Sequence, residues 1–214
     1  MKKAIVLGGT GMVGTQLVQL LLENDSYSEI VSLTRRASGM NHSKLKEQII
    51  DFNNPDSWSN FVNGDVLFSA LGTTIVQAKT KENQYKVDYS YQYTVAAVAA
   101  RNGIPNYVLI SSASANANAK MFYLNMKGKL EDAVKALPFK VISIIRPGIL
   151  AGTRTKIRAG EIIGISALNF LNQLGLFKRY KPIQAYQVAQ AMINAAEMKK
   201  SESYSLEQVF ELAK

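Results

Sequence analysis

Tyr123 and Lys127 stand four residues apart in Tyr123-Leu124-Asn125-Met126-Lys127-Gly128, and helical spacing puts both side chains on one face about a turn apart. An ammonium beside a phenol favours the phenolate. The pair therefore predicts a phenol pKa drawn down from about 10 toward the range where it exchanges a proton with a carbonyl or an alcohol. Tyr123 would be the general acid of a reduction, and Lys127 would also hold the ribose hydroxyls of a nicotinamide cofactor with its spare donors. Ser111 and Ser112 close the apolar run just upstream, where either hydroxyl could bind the substrate oxygen. Alone, Tyr-x-x-x-Lys is a common accident of amphipathic helices. Its weight here comes from the order of a glycine turn, a serine pair and then the tyrosine and lysine.

The glycine turn is Gly8-Gly9-Thr10-Gly11-Met12-Val13-Gly14, placed between the apolar run Lys3 to Leu7 and an apolar pattern at Val13, Leu17, Leu20 and Leu21. Strand, glycine turn and helix in that order are the parts of a dinucleotide site: Gly8, Gly11 and Gly14 allow a tight turn, close backbone approach and close helix packing. The helix N-terminus, with Thr10, Met12 and Val13 around it, then offers N–H groups and a positive dipole end to a pyrophosphate. The cofactor is read from the end of the next strand, where a carboxylate would select NAD. Thr34-Arg35-Arg36 stands there instead, and adjacent guanidinium groups suit the 2′-phosphate of NADP(H), so NADP(H) is preferred over NAD(H). Asp51 and Phe52 are expected to flank the adenine, and Ala70-Leu71-Gly72-Thr73-Thr74 to follow the nicotinamide side of the cofactor.

The elements that must position these residues are legible as alternation. Short apolar runs recur at Ile30 to Thr34, Ile49 to Phe52, Val66 to Ala70, Tyr107 to Ser111 and Val141 to Ile145, with helical spacing over Asn83 to Arg101 and Met121 to Ala136. Asn102-Gly103 before Pro105 and Leu137-Pro138 are helix stops. The expected fold class is α/β, a doubly wound parallel sheet (Rossmann fold) with a small, mostly helical C-terminal cap. The chain is read as one domain, residues 1–214, in which 149–214 supplies the substrate-side cap, with helices near Ile165 to Leu174 and Gln184 to Met198.

Composition narrows the chemistry. There is no cysteine and only one histidine, so thiolate sites, disulfides and a cysteine nucleophile are excluded, and no metal site is expected. His42 sits in a polar stretch and reads as a loop residue; Trp58 reads as an inward-packing aromatic at a helix start. Tyr85, Tyr89 and Tyr93 recur every four residues and read as one packed or pairing face, which leaves a monomer or a homodimer open. A net charge of +9 permits a nucleic-acid partner, but the basic residues are scattered and argue against one. Arg154, Lys156 and Arg158 read either as contacts to an anionic group or as solvated charges. No run approaches the ~20 apolar residues of a membrane span, and no secretory signal opens the chain, so no membrane partner and a cytoplasmic location are expected.

Taken together, these residues resemble the short-chain dehydrogenase/reductase superfamily, in its atypical branch of Tat-interactive-protein-like oxidoreductases. The resemblance rests on the glycine turn, Arg35-Arg36, Asp51-Phe52, Ala70 to Thr74, Lys86-Val87-Asp88-Tyr89, Ser111-Ser112, Tyr123 to Gly128 and Arg146-Pro147-Gly148-Ile149-Leu150. It implies that Tyr123 and Lys127 are the catalytic pair, that one of the serines assists, and that Pro147, Gly148 and Ile149 run beside the nicotinamide. Asp88 departs from the asparagine usual in extended relatives. The function expected is an NADP(H)-dependent carbonyl reductase or alcohol dehydrogenase acting on a small carbonyl or alcohol through a Ser-Tyr-Lys site. The alternatives are a non-catalytic NADP(H)-sensing regulator and a nucleotide-sugar epimerase or dehydratase, the latter weakened by the short region after Leu150.

Overall fold

In the computed structural model, which describes residues 1–151 and 181–214, the alternation becomes a seven-stranded, all-parallel sheet. The strands are β1 (Lys2–Leu7), β2 (Tyr27–Thr34), β3 (Leu45–Ile49), β4 (Val66–Ser69), β5 (Asn106–Ile110), β6 (Val141–Arg146) and β9 (Glu202–Ser205), in the order β3-β2-β1-β4-β5-β6-β9. β7 (Leu150–Ala151) and β8 (Ile183–Gln184) form a separate two-stranded pair. The described helices are α1 (Met12–Glu23), α2 (Ile75–Ala78), α3 (Lys81–Tyr85), α4 (Gln92–Arg101), α5 (Phe122–Lys135), α6 (Ala185–Ala196) and α7 (Glu207–Leu212). The doubly wound sheet and its helical C-terminal part are as the sequence predicts.

The period-2 alternation of side chains explains why both faces must be covered. Ala4 and Val6 of β1 join a core with α1 and α6, while Ile5 and Leu7 join a second core with α4 and α5. β5 divides in the same way, Val108 to the first core and Tyr107 and Leu109 to the second. The chain leaves β1 toward β2 and β3 on one side, then crosses to β4 on the other. This reversal opens a crevice at the carboxyl ends of β1 and β4.

Three elements differ from expectation. The strand expected at Ile49 to Phe52 lies earlier, at Leu45–Ile49, because the chain turns at Asp51, whose carboxylate accepts from the Asn53 N–H at 2.9 Å. β9 was missed because Glu-Ser-Tyr-Ser carries no apolar run; as an edge strand it buries only Tyr204. The region 149–214 is also not only a cap: α6 packs on the first core and β9 completes the sheet, while the helix expected near Ile165 to Leu174 lies outside the described residues.

Between α3 and α4 the helix expected over Asn83 to Arg101 loosens into a π turn, Lys86–Tyr91. Such a turn frees a carbonyl from the normal ladder. The side chain of Gln92 closes the gap: its Nε2 donates to the Asp88 carbonyl at 2.8 Å, and its Oε1 accepts from the Ser69 hydroxyl at 2.8 Å. The fully buried Gln92 thereby ties the end of β4 to the turn that carries Asp88. Gln92→Leu keeps the volume and leaves two buried groups unpaired, so urea unfolding should report a loss of about 1–3 kcal/mol. An unchanged midpoint would contradict this account of the π turn.

Candidate functional site

β1 and α1 are joined by a turn that only glycine can make. Gly8 has φ +87°, and a side chain on it would come within 2.5 Å of the Leu71 nitrogen at the end of β4. A side chain on Gly14 would strike the Gly8 carbonyl, so α1 lies directly on the turn. Gly11 is the N-cap of α1 and has no side-chain cap, which leaves the first N–H groups of the helix directed at the crevice.

The crevice runs along the strand ends in connected parts that share Gly11. One end is walled by Gly8, Thr10, Arg35, Arg36 and Lys86. Ala70, Leu71, Gly72 and Thr73 line both this end and the opposite one. The other end gathers Met12, Val13, Thr74, Ser111, Ser112, Tyr123, Lys127, Pro147 and Gly148. Nearly all the residues singled out from the sequence thus meet in one groove.

Asp51, Phe52 and Ile149 do not. Phe52 is turned into the core, stacked on Tyr91 at 5.0 Å and set edge-on to the buried Trp58. Asp51 is spent on the turn, where hydrogen bonds from the Asn53 backbone and side chain, and then the charge of Lys86, lower its pKa. Ile149 turns its side chain to solvent while its carbonyl accepts from the Ile183 N–H. None of the three lines the groove among the described residues, which the sequence expectation of adenine and nicotinamide contacts did not foresee. Arg154, Lys156 and Arg158 lie outside the described residues.

Lys127 is buried, and its ammonium reaches two oxygens: the Ile110 carbonyl at 3.3 Å and Asp88 Oδ1 at 3.8 Å. Asp88 is buried too, and its Oδ2 accepts from the Thr73 N–H at 3.0 Å. Burial lowers the Lys127 pKa, with Asp88 and Glu131 opposing; burial raises that of Asp88, with Lys127 and the Thr73 N–H opposing. Desolvation is the first cause for both partners, as expected of an enclosed ion pair.

Tyr123 departs from the sequence expectation. Its phenol is pushed up to about 12, first by burial and then by the Asp88 carboxylate. The direction is opposite to the one expected from Tyr123 and Lys127 alone, because burial disfavours the phenolate and the Asp88 carboxylate, which the pair argument did not include, adds to it. Ser111 has a buried hydroxyl with no hydrogen-bond partner among the described residues, whereas Ser112 is half-buried. Beneath them the buried Glu131 of α5 takes both Nε and an Nη of Arg146, which fixes the end of β6 where Pro147 and Gly148 line the groove. Asn83, Gln84, Lys86, Tyr91 and Ile110 were not assigned to the site from the sequence; of these, Lys86 lies in the segment Lys86-Val87-Asp88-Tyr89 that carries part of the family resemblance.

A parallel sheet with a glycine turn at its switch point, and a Tyr-x-x-x-Lys helix over the adjacent strand ends, defines the NAD(P)-binding Rossmann class in its short-chain dehydrogenase/reductase form. The model of the NAD dependent epimerase/dehydratase family matches residues 4–124, and the chain belongs to that family as an atypical short-chain dehydrogenase/reductase. Among its relatives, the protein FMP52, mitochondrial, of Candida albicans is 35% identical over 198 residues, covering 90% of this chain and 86% of that one. FMP52-1, mitochondrial, of Scheffersomyces stipitis is 32% identical, covering 91% and 88%. Among solved structures, the Bordetella bronchiseptica enzyme WbmH in complex with NAD+ superposes with TM-score 0.73 at 16% identity, covering 96% of this chain and 75% of that one. UDP-glucose 4-epimerase of Thermotoga maritima gives 0.69 at 13%, covering 99% and 81%. The mitochondrial names of these relatives overturn the expectation of a cytoplasmic protein. No helix among the described residues is long and apolar enough to cross a membrane, and that says nothing about import into mitochondria.

The charge of Asp88 acts on Tyr123 with a definite sign. Asp88→Asn removes a negative charge and keeps an acceptor for the Thr73 N–H, so the phenolate is destabilised less and the Tyr123 pKa should fall. NMR of ring-labelled tyrosine, assigned with Tyr123→Phe, should show titration beginning at lower pH in Asp88→Asn. Titration at the same or a higher pH would mean that the carboxylate does not set the phenol.

Proposed function

We propose that this protein is an NADP(H)-dependent reductase of small carbonyl compounds, with Tyr123 as the proton donor. The observation that carries the reading is geometric: Tyr123, Lys127, Ser111 and Ser112 line the same part of the groove as Gly11, Pro147 and Gly148, and at neutral pH Tyr123 holds the proton that a carbonyl oxygen needs as it becomes an alkoxide. A bound nicotinamide would supply the hydride to the carbonyl carbon. Transfer of the phenolic proton to oxygen completes the alcohol and leaves a phenolate one helical turn from Lys127, whose ammonium then opposes that charge. Tyr123 is 36% exposed, so the phenolate regains its proton from solvent.

The groove fits a dinucleotide on its own features. The Gly8 and Gly14 positions keep clear the turn that side chains would fill, the uncapped start of α1 suits a pyrophosphate, and Lys127 is placed for ribose hydroxyls. Arg35 and Arg36 are exposed and without ion-pair partners among the described residues, which supports the 2′-phosphate form. Ser111, with its unpaired hydroxyl, and Ser112 beside it offer donors to the substrate oxygen. The names of the relatives support a mitochondrial location.

NADPH oxidation should be followed across a panel of aldehydes and ketones. For a substrate found, Tyr123→Phe should lower kcat by about 10²–10⁴-fold while leaving NADPH affinity within about twofold. Full activity in Tyr123→Phe would remove the tyrosine from the chemistry. Tight NADPH binding with no turnover of any carbonyl would favour a cofactor-sensing regulator instead.

A further inference from the structure

The sequence offers two cations for a 2′-phosphate, but the groove holds a third. Lys86 opens the π turn and lines the same end of the crevice as Arg35 and Arg36, although it is about 50 residues away from them in the chain. Lys86 is exposed, but its ammonium lies over the Tyr91 ring, 5.6 Å from its centre, Tyr91 is stacked on the buried Phe52, and the Tyr91 hydroxyl donates to Asn53 Oδ1 at 3.2 Å. Contact with a ring face uses no hydrogen-bond acceptor and leaves N–H donors of the ammonium for an anion. Lys86 forms no ion pair among the described residues. The one carboxylate whose charge it is seen to influence, Asp51, is already held by two hydrogen bonds from Asn53. Three cations from two separate elements, none neutralised by a bound carboxylate among the described residues, converge where a dianion would sit.

We propose that Lys86, seated on Tyr91, is a specificity-determining residue that completes a three-cation cradle for the 2′-phosphate of NADP(H). The inference rests on the NADP(H) reading above and adds to it the π turn, so that the element carrying Asp88 on one side grips the cofactor with the other. Arg35 and Arg36 follow β2 and, like Lys86, are exposed. Lys86 is the member of the three with an aromatic ring against its ammonium, a contact that favours one position of the charge at this end of the groove.

Calorimetric titration with NADPH and NADH separates the possibilities, using wild type, Lys86→Gln, Lys86→Arg and an Arg35→Gln/Arg36→Gln double variant, each checked by thermal unfolding. Lys86→Gln should weaken NADPH about tenfold, the size of one charge-assisted hydrogen bond, leave NADH within about twofold, and be restored by Lys86→Arg. Equal weakening of both cofactors, or an unchanged NADPH affinity while the double arginine variant loses its preference, would overturn the role of Lys86 and leave the NADP(H) reading standing. Wild type binding NADH as tightly as NADPH would overturn that reading, and the cradle with it.

Discussion

Everything in this site depends on how closely the backbone of the first turn approaches the end of β4. Gly8, at positive φ, is pressed against Ala70 and Leu71, and Gly14 brings α1 down onto the Gly8 carbonyl. A single methyl group at either place would wedge the strand end and the helix apart, at a cost of about 1–3 kcal/mol for forced overpacking. Because the two strands meet at the switch point, this contact also fixes the groove: its floor is the β4 continuation, Ala70 to Thr73, and its wall is the start of α1.

The second constraint is the enclosed charge pair. Asp88 and Lys127 come from different elements and are both buried, so each raises the cost of the other's loss. The π turn aims Asp88 inward, and Gln92 satisfies the carbonyl that the turn releases. The consequence reaches Tyr123, whose proton is held more tightly by burial and by the Asp88 charge. The same turn presents Lys86 at its other end, so one irregularity in one helix brings both Asp88 and Lys86 to the groove.

Local rules made much of this visible from sequence. The glycine spacing, Arg35-Arg36, the serine pair and Tyr123 with Lys127 each lie within one short segment, and chain order along alternating strands and helices brings them to the same sheet edge. What stayed hidden depends on contacts between distant segments. Phe52 looked available for adenine, yet Tyr91 and Trp58 draw it into the core. The effect of Lys127 on Tyr123 is legible from two residues, but burial, and after it the charge of Asp88, sets the direction. β9 pairs through its backbone with β6 and needs almost no apolar signal to do so.

The central claim is that a dinucleotide lies across the ends of β1, β4, β5 and β6, with its phosphates on the glycine turn. Hydrogen exchange of the whole chain, with and without saturating NADPH, tests it directly. The account predicts slowed exchange confined mainly to residues 9–15, 71–74, 111–113 and 148–150, where backbone amides face or border the groove. Slowing that leaves residues 9–15 untouched, or none at all under conditions where calorimetry shows NADPH bound, would place the cofactor elsewhere and contradict the account.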